Sequence, residues 1–394
     1  MKYYNEMLCD NGNIAVDDTI LIKDSVSSAG SYMLEGFKSL FSAEIVDRLE
    51  KNGYKVSGKT HVGEFGLDLA GEFSYYAPAE GKILGAAAEL VKNGDVKAAL
   101  GTDMNGAPRR AAALSGVSFL KPTYGTVSRY GVISCAASGE QAGVYAKDAD
   151  SVAEIMSIIA GHDGKDGTSL PAEKYEYNTD ESLAGKKVCI IKELYEKADA
   201  DVQAKVTAAA EALKSNGVEV TEISCDLFEI ANTAWQILMC AETCNNVSRY
   251  DGVKYGHRAK NYKNIDELYV NSRTEGFNFL TKAVILYGSD VLSKNRYKDC
   301  FDKSLRVRRV VAEGMAKLFE NYDAVLTPVA SKTSFESYDI KDAFGKTFEE
   351  SVFTATANLI GIPALSFGGV QLMGKAFSES TLLSLAKATE KEGK

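Results

Sequence analysis

Apolar positions recur along this chain in two rhythms. Short runs of β-branched or small apolar residues alternate with longer stretches in which apolar residues return every three or four positions. Residues 20–22 read as a strand, 42–51 as a helix with Ala43, Ile45, Val46 and Leu49 on one face, and 55–57 as the next strand. Alanine-rich 86–92 predicts a helix, and 98–100 a buried strand entering a glycine-containing loop. Residues 151–160 place Val152, Ile155, Met156 and Ile159 at helical spacing. A strand at 186–192, a helix at 202–215 and a strand at 218–223 follow. This β–α–β alternation predicts an α/β fold with helices on both faces of a sheet. Helical periodicity then runs from about 230 to 319, followed by a strand at 324–327, a turn at Pro328 and a helix at 380–391.

Composition narrows the class. The 394 residues, 45% hydrophobic and 25% charged, match globular averages and exclude disorder. The absence of low complexity, repeats or a linker predicts a single domain over 1–394. Apolar runs such as 188–191 fall far short of the roughly 20 residues of a membrane span, and the N-terminus lacks a signal-length apolar stretch. A soluble, cytoplasmic protein without membrane contact is expected. Seven cysteines in a chain this long do not make a disulfide framework. Cys240 and Cys244 could share a helix face, but His61, His162 and His257 stand at no ligand spacing, so buried free thiols and no metal are expected. A net charge of −9 argues against direct nucleic-acid binding, which depends on neutralising phosphates. Arg306, Arg308 and Arg309 read as a solvated helix face.

Ordered blocks carry more specific information. Ile22-Lys23-Asp24 is followed by Gly58-Lys59-Thr60 with Glu64-Phe65, and then by Gly101-Thr102-Asp103 with Gly106 and Pro108-Arg109. After these come Leu120-Lys121-Pro122-Thr123-Tyr124-Gly125, Val127-Ser128-Arg129-Tyr130-Gly131 and Ala160-Gly161-His162-Asp163. Later blocks are Ser248-Arg249-Tyr250-Asp251-Gly252-Val253-Lys254-Tyr255-Gly256, Arg273-Thr274-Glu275-Gly276-Phe277, Thr327-Pro328 and Asn358-Leu359-Ile360-Gly361-Ile362-Pro363. In number and order these blocks resemble the amidase-signature family, and the block from Ser248 to Gly256 resembles its tRNA-dependent amidotransferase A subunits in particular. The resemblance implies an α/β/α sandwich around a mixed sheet. It also implies that most of the family's N-terminal helical segment is missing and that the region near 365–372 is shortened.

The resemblance further implies a chemistry and its loss. Family members hydrolyse amides with one serine as nucleophile, a second as proton relay and a neutral lysine as base, a variant of triad logic. Lys23 falls at the lysine position. In the loop Thr102-Asp103-Met104-Asn105-Gly106, anchoring on Asp103 and Arg109 puts Ala107 at the nucleophile position. Counting back to Gly81 puts Ile83 at the relay position. A methyl group cannot attack a carbonyl, and isoleucine cannot pass a proton. Met104 and Asn105 replace small residues of an oxyanion loop, and Pro108 removes a donor. Substrate-binding positions for glutamine fall on Ala283, Val284 and Ser351, none of them charged. Thr102, Ser115 and Lys82 are the neighbours from which a relocated nucleophile or anion site could come.

The expectation is a catalytically silent relative that binds proteins resembling the amidotransferase B and C subunits, or an unidentified small molecule, without a cofactor. The alternative is an active amide hydrolase or glutamine-dependent amidotransferase component with a rearranged nucleophile.

Overall fold

The computed structural model describes residues 2–76, 85–172 and 175–390. Among them, eleven strands form one sheet: β1 Tyr4–Met7, β2 Ile14–Asp17, β3 Val56–Thr60, β4 Ala98–Asp103, β5 Ser118–Lys121, β6 Gln141–Ala146, β7 Lys187–Ile191, β8 Glu219–Ile223, β9 Ala324–Pro328, β10 Ala364–Phe367 and β11 Val370–Gly374. Their spatial order is β1-β3-β2-β4-β6-β5-β10-β11-β9-β7-β8. The sheet is mixed. β3, β2 and β4 run parallel, as do β9, β7 and β8, and antiparallel pairs through β6, β5, β10 and β11 join the two groups.

The central strands β4, β9, β10 and β11 are almost wholly buried because both faces are covered. Successive side chains point to opposite faces, and the core divides accordingly. Ile14, Val16, Ala98, Leu100, Val144, Val188, Leu326, Leu365 and Leu372 pack into one cluster with the Glu44–Lys51, Ala149–Ile159, Ala200–Ser215 and Glu379–Glu390 helices. Their neighbours Ala15, Ala99 and Tyr145 face the Ala86–Asn93 and Ala107–Ser115 helices. Cys189, Val325 and Met373 face the long Leu227–Asn246, Phe279–Val291 and Lys303–Leu318 helices. The expected three-layer α/β/α sandwich is the observed fold.

Local readings differ at three places. The strand of this region is β2, Ile14–Asp17, not 20–22, where Ile20 makes only an isolated bridge to Val132. The region near 365–372 is the β10–β11 hairpin, turning through Gly368 and Gly369 at positive φ. The long helical region is broken into separate helices by a loop between Arg249 and Ile265. Arg306 and Arg309 are exposed, as expected, and pair with Asp302 and Glu313. Arg308 instead turns inward and donates to the Ser138 carbonyl at 2.7 Å. Among the described residues all seven cysteines are free and no residue group has metal-site spacing, and no helix is long and apolar enough to cross a membrane.

Candidate functional site

The parallel strands β3, β2 and β4 end side by side, with Asp17 paired to Thr60 in register and Val16 paired to Leu100. Crevices at the carboxyl ends of parallel strands are where α/β sheets present side chains to ligands. There Asp17, His61, Asp68, Thr102, Tyr145 and Ala107 line a cavity of about 20 Å³, room for one water-sized group.

The loop after β4 is held from every side. The Asp103 carboxylate accepts from the Gly106 N–H at 2.9 Å and pairs with Arg109 at 2.7 Å, both side chains fully buried. Burial pushes the Asp103 carboxyl up, but ion pairing with Arg109 outweighs it and holds the group below the usual carboxylate range. Asn358 donates to the same carboxylate at 2.9 Å, and Arg109 reaches Gln371 and Asn358. Trp235 Nε1 donates to the Met104 carbonyl at 3.1 Å. The Asn105 carbonyl accepts from Arg110 at 2.9 Å and from the Thr354 hydroxyl at 3.0 Å. Gly106 has φ +85°, and a methyl group there would sit 2.4 Å from Thr354 Cβ, so only glycine fits. The Ala107–Ser115 helix starts directly after it with Pro108 in its first turn, a position where the missing N–H costs little.

Ala107 thus stands at a helix N-terminus, its methyl group in the cavity wall. The residue facing it from the sheet is Asp17, not Lys23. Lys23 is exposed, bridged through its backbone to Ser39 and Ser42, and does not line the cavity. The expectation that Lys23 stands opposite position 107 is corrected by the strand assignment: β2 ends at Asp17, well before Lys23. The signal is present in the sequence, since Ile14-Ala15-Val16-Asp17-Asp18 repeats the apolar-triplet, charge, aspartate pattern of Ile20-Leu21-Ile22-Lys23-Asp24. Only pairing to β3 and β4 selects between them. Ile83, with Lys82, lies outside the described residues.

Asp17 is 5% exposed. It accepts from the Thr60 hydroxyl at 3.0 Å and from the Thr102 backbone N–H. Burial pushes its carboxyl up to about 7, against the pull of these hydrogen bonds. Asp68 is likewise pushed up to about 8, by burial and then by neighbouring Glu72. Burial pushes the His61 imidazole down, partly offset by Asp18, so the ring is neutral. Behind the cavity Asp18 forms a buried ion pair with Lys59 at 3.0 Å.

The remaining sequence candidates scatter. Thr102 lines the cavity and its hydroxyl meets that of Thr19 at 3.1 Å. Met104 and Val284 belong to the core beneath the long helices, and Ala283 is half-buried on the same helix as Val284. Ser351 is buried, and its hydroxyl accepts from Asn105 Nδ2 at 2.7 Å, which ties it to the loop rather than to open space. Ser115 packs against Glu89 at 2.8 Å.

Residues 13–383 match the family model described as Amidase. The A subunit of glutamyl-tRNA(Gln) amidotransferase from Sulfurihydrogenibium sp. is 34% identical over 394 residues, covering 95% of this chain and 81% of that protein. Its counterpart from Methylobacillus flagellatus is 35% identical over 397 residues, covering 94% and 81%. Among solved structures, the A subunit of glutamyl-tRNA(Gln) amidotransferase from Thermotoga maritima matches with a TM-score of 0.81 at 28% identity, covering 99% of this chain and 86% of that one. The 6-aminohexanoate cyclic dimer hydrolase complexed with substrate shares the fold, with a TM-score of 0.78 at 16% identity over 96% of this chain and 84% of that one.

Proposed function

The chain belongs to the amidase family, and we propose that within it this protein keeps the fold while lacking amide-hydrolysing chemistry, serving as a binding or noncatalytic partner protein. The observation that carries this reading is that Ala107 and Asp17 line one cavity of about 20 Å³. Acyl transfer needs an attacking oxygen and a base able to take its proton. A methyl group supplies neither atom nor proton. A carboxyl held near 7 is a competent acid or base in itself, but it has no nucleophile to serve. The resemblance also implies Ile83 at the relay position, and an isoleucine there passes no proton.

The relatives are named as A subunits of an amidotransferase, so the partners of this reading are proteins resembling the B and C subunits. The test is ammonia release from glutamine and simple amides, with the chain alone and mixed with such proteins. No release above buffer is expected, together with co-purification of a partner of the B or C type. Release that disappears in Thr102→Ala would instead establish a hydrolase with a relocated nucleophile.

A further inference from the structure

We propose that the groove between the Ile265–Gly276 and Phe279–Val291 helices docks an amphipathic helix of a partner protein, one with acidic residues flanking its apolar face. This rests on the reading that the chain acts by binding a partner, and it names the surface. The two helices follow one another with only Phe277 and Asn278 between them. Each already has a packed inner face: Leu268, Ser272 and Gly276 are buried on the first, Leu280, Val284, Gly288 and Val291 on the second. The outer faces are nevertheless apolar. Val270 is 62% exposed and Leu286 71% exposed, and Ile265, Tyr269 and Phe279 are exposed beside them in the chain. Single exposed apolar residues are ordinary, but a contiguous patch edged by charge marks a contact surface.

The patch is concave. Tyr269, Val270, Ile285 and Leu286 line a groove of about 370 Å³ together with Arg273 and Lys282. Both cations are held in place by backbone: Arg273 donates to the Val247 and Tyr250 carbonyls at 3.0 and 2.8 Å, and Lys282 Nζ to the Thr274 carbonyl at 2.6 Å. Among the described residues neither forms an ion pair with a carboxylate. Fixed cations in an apolar wall favour an acidic partner and repel a basic one.

The backbone decides the form of the occupant. Helices bond their own N–H and C=O groups, so no strand can be added here and affinity must come from side chains entering the groove, as when a helix lies along two others. An anionic membrane is the poorer fit, because it is drawn to clusters of roughly four to eight basic residues, and only two cations line this groove.

The test is fluorescence anisotropy of the whole chain with three labelled synthetic helices of equal length. One carries leucines along one face flanked by glutamates, the second has lysines for the glutamates, and the third is the glutamate peptide with its leucines scrambled around the helix. Saturable binding of the first alone is expected, weakened about tenfold or more in Leu286→Asp and reversed toward the lysine peptide in Lys282→Glu. The exposure of Leu286 lets its replacement leave the fold intact, checked by an unchanged Tm. No binding of the glutamate peptide, equal binding of all three, or an affinity unchanged in Leu286→Asp would overturn the proposal. Binding to phosphatidylserine vesicles, or dimerisation of the chain in sedimentation, would overturn it too if lost in Leu286→Asp. Ammonia release accompanied by peptide binding sinks the noncatalytic reading alone, and silence in both assays sinks this surface alone.

Discussion

Replacing Asp17 by asparagine keeps the shape of the side chain and removes its titration. The carboxyl is 5% exposed and is raised from 3.8 to about 7, chiefly by burial. An acid whose pKa is raised on folding binds more protons in the native state than in the unfolded one. Its contribution to stability is therefore full at low pH and is lost as pH climbs from about 4 to about 7. At about 1.36 kcal/mol per unit, the part falling between pH 5 and pH 8 comes to about 2–3 kcal/mol. Local relaxation around the charge keeps the measured loss at or below that figure. The assay is urea unfolding of the wild-type protein and Asp17→Asn at pH 5, 6, 7 and 8. Asp68, pushed up to about 8, slopes in the same direction in both proteins and cancels from their difference. The variant is expected to gain on the wild type steadily across this range. Parallel curves would refute the reasoning, because they would mean that Asp17 ionises in the native protein as it does in the unfolded chain.

Three further outcomes follow from the site. Ala107→Ser alone is expected to release no ammonia from glutamine, whereas Asp17→Lys, Ile83→Ser and Ala107→Ser together restore hydroxyls and amine. Measurable turnover in the triple variant would show that the remainder of the site is intact. Asp103→Ala leaves Arg109 charged and buried, with the loss of a 2.7 Å pair, and is expected to cost about 3–5 kcal/mol, read as a large fall in Tm or as insolubility. Ser351→Ala removes the acceptor of the buried Asn105 Nδ2 and is expected to cost about 1–3 kcal/mol by urea denaturation.

Much of this architecture is legible in one dimension. Apolar runs at 98–100, 188–191 and 324–326 mark inner strands because a sheet covered on both faces favours apolar residues on both sides of its strands. The helices at 44–51, 149–159 and 200–215 announce themselves by the spacing of a single buried face. The β10–β11 hairpin escapes the pattern of apolar positions, although Gly368-Gly369 between two apolar runs is a recognised two-residue turn signal. Ala107 is reachable by counting from Asp103, since the loop and the following helix keep their spacing. The group opposite it is not. Residues 20–22 are locally the better strand, yet 14–17 form the ladder, because only they can place Ile14 and Val16 in one core and Ala15 in the other while pairing with β3 and β4. Local propensity cannot see a partner strand as distant in the chain as Val56 or Ala98. Nor does a sequence disclose that an aspartate ending a strand loses its water. That is decided when Thr60, Thr102 and Tyr145 close around Asp17, and burial then sets the pKa that makes this carboxyl chemically distinct.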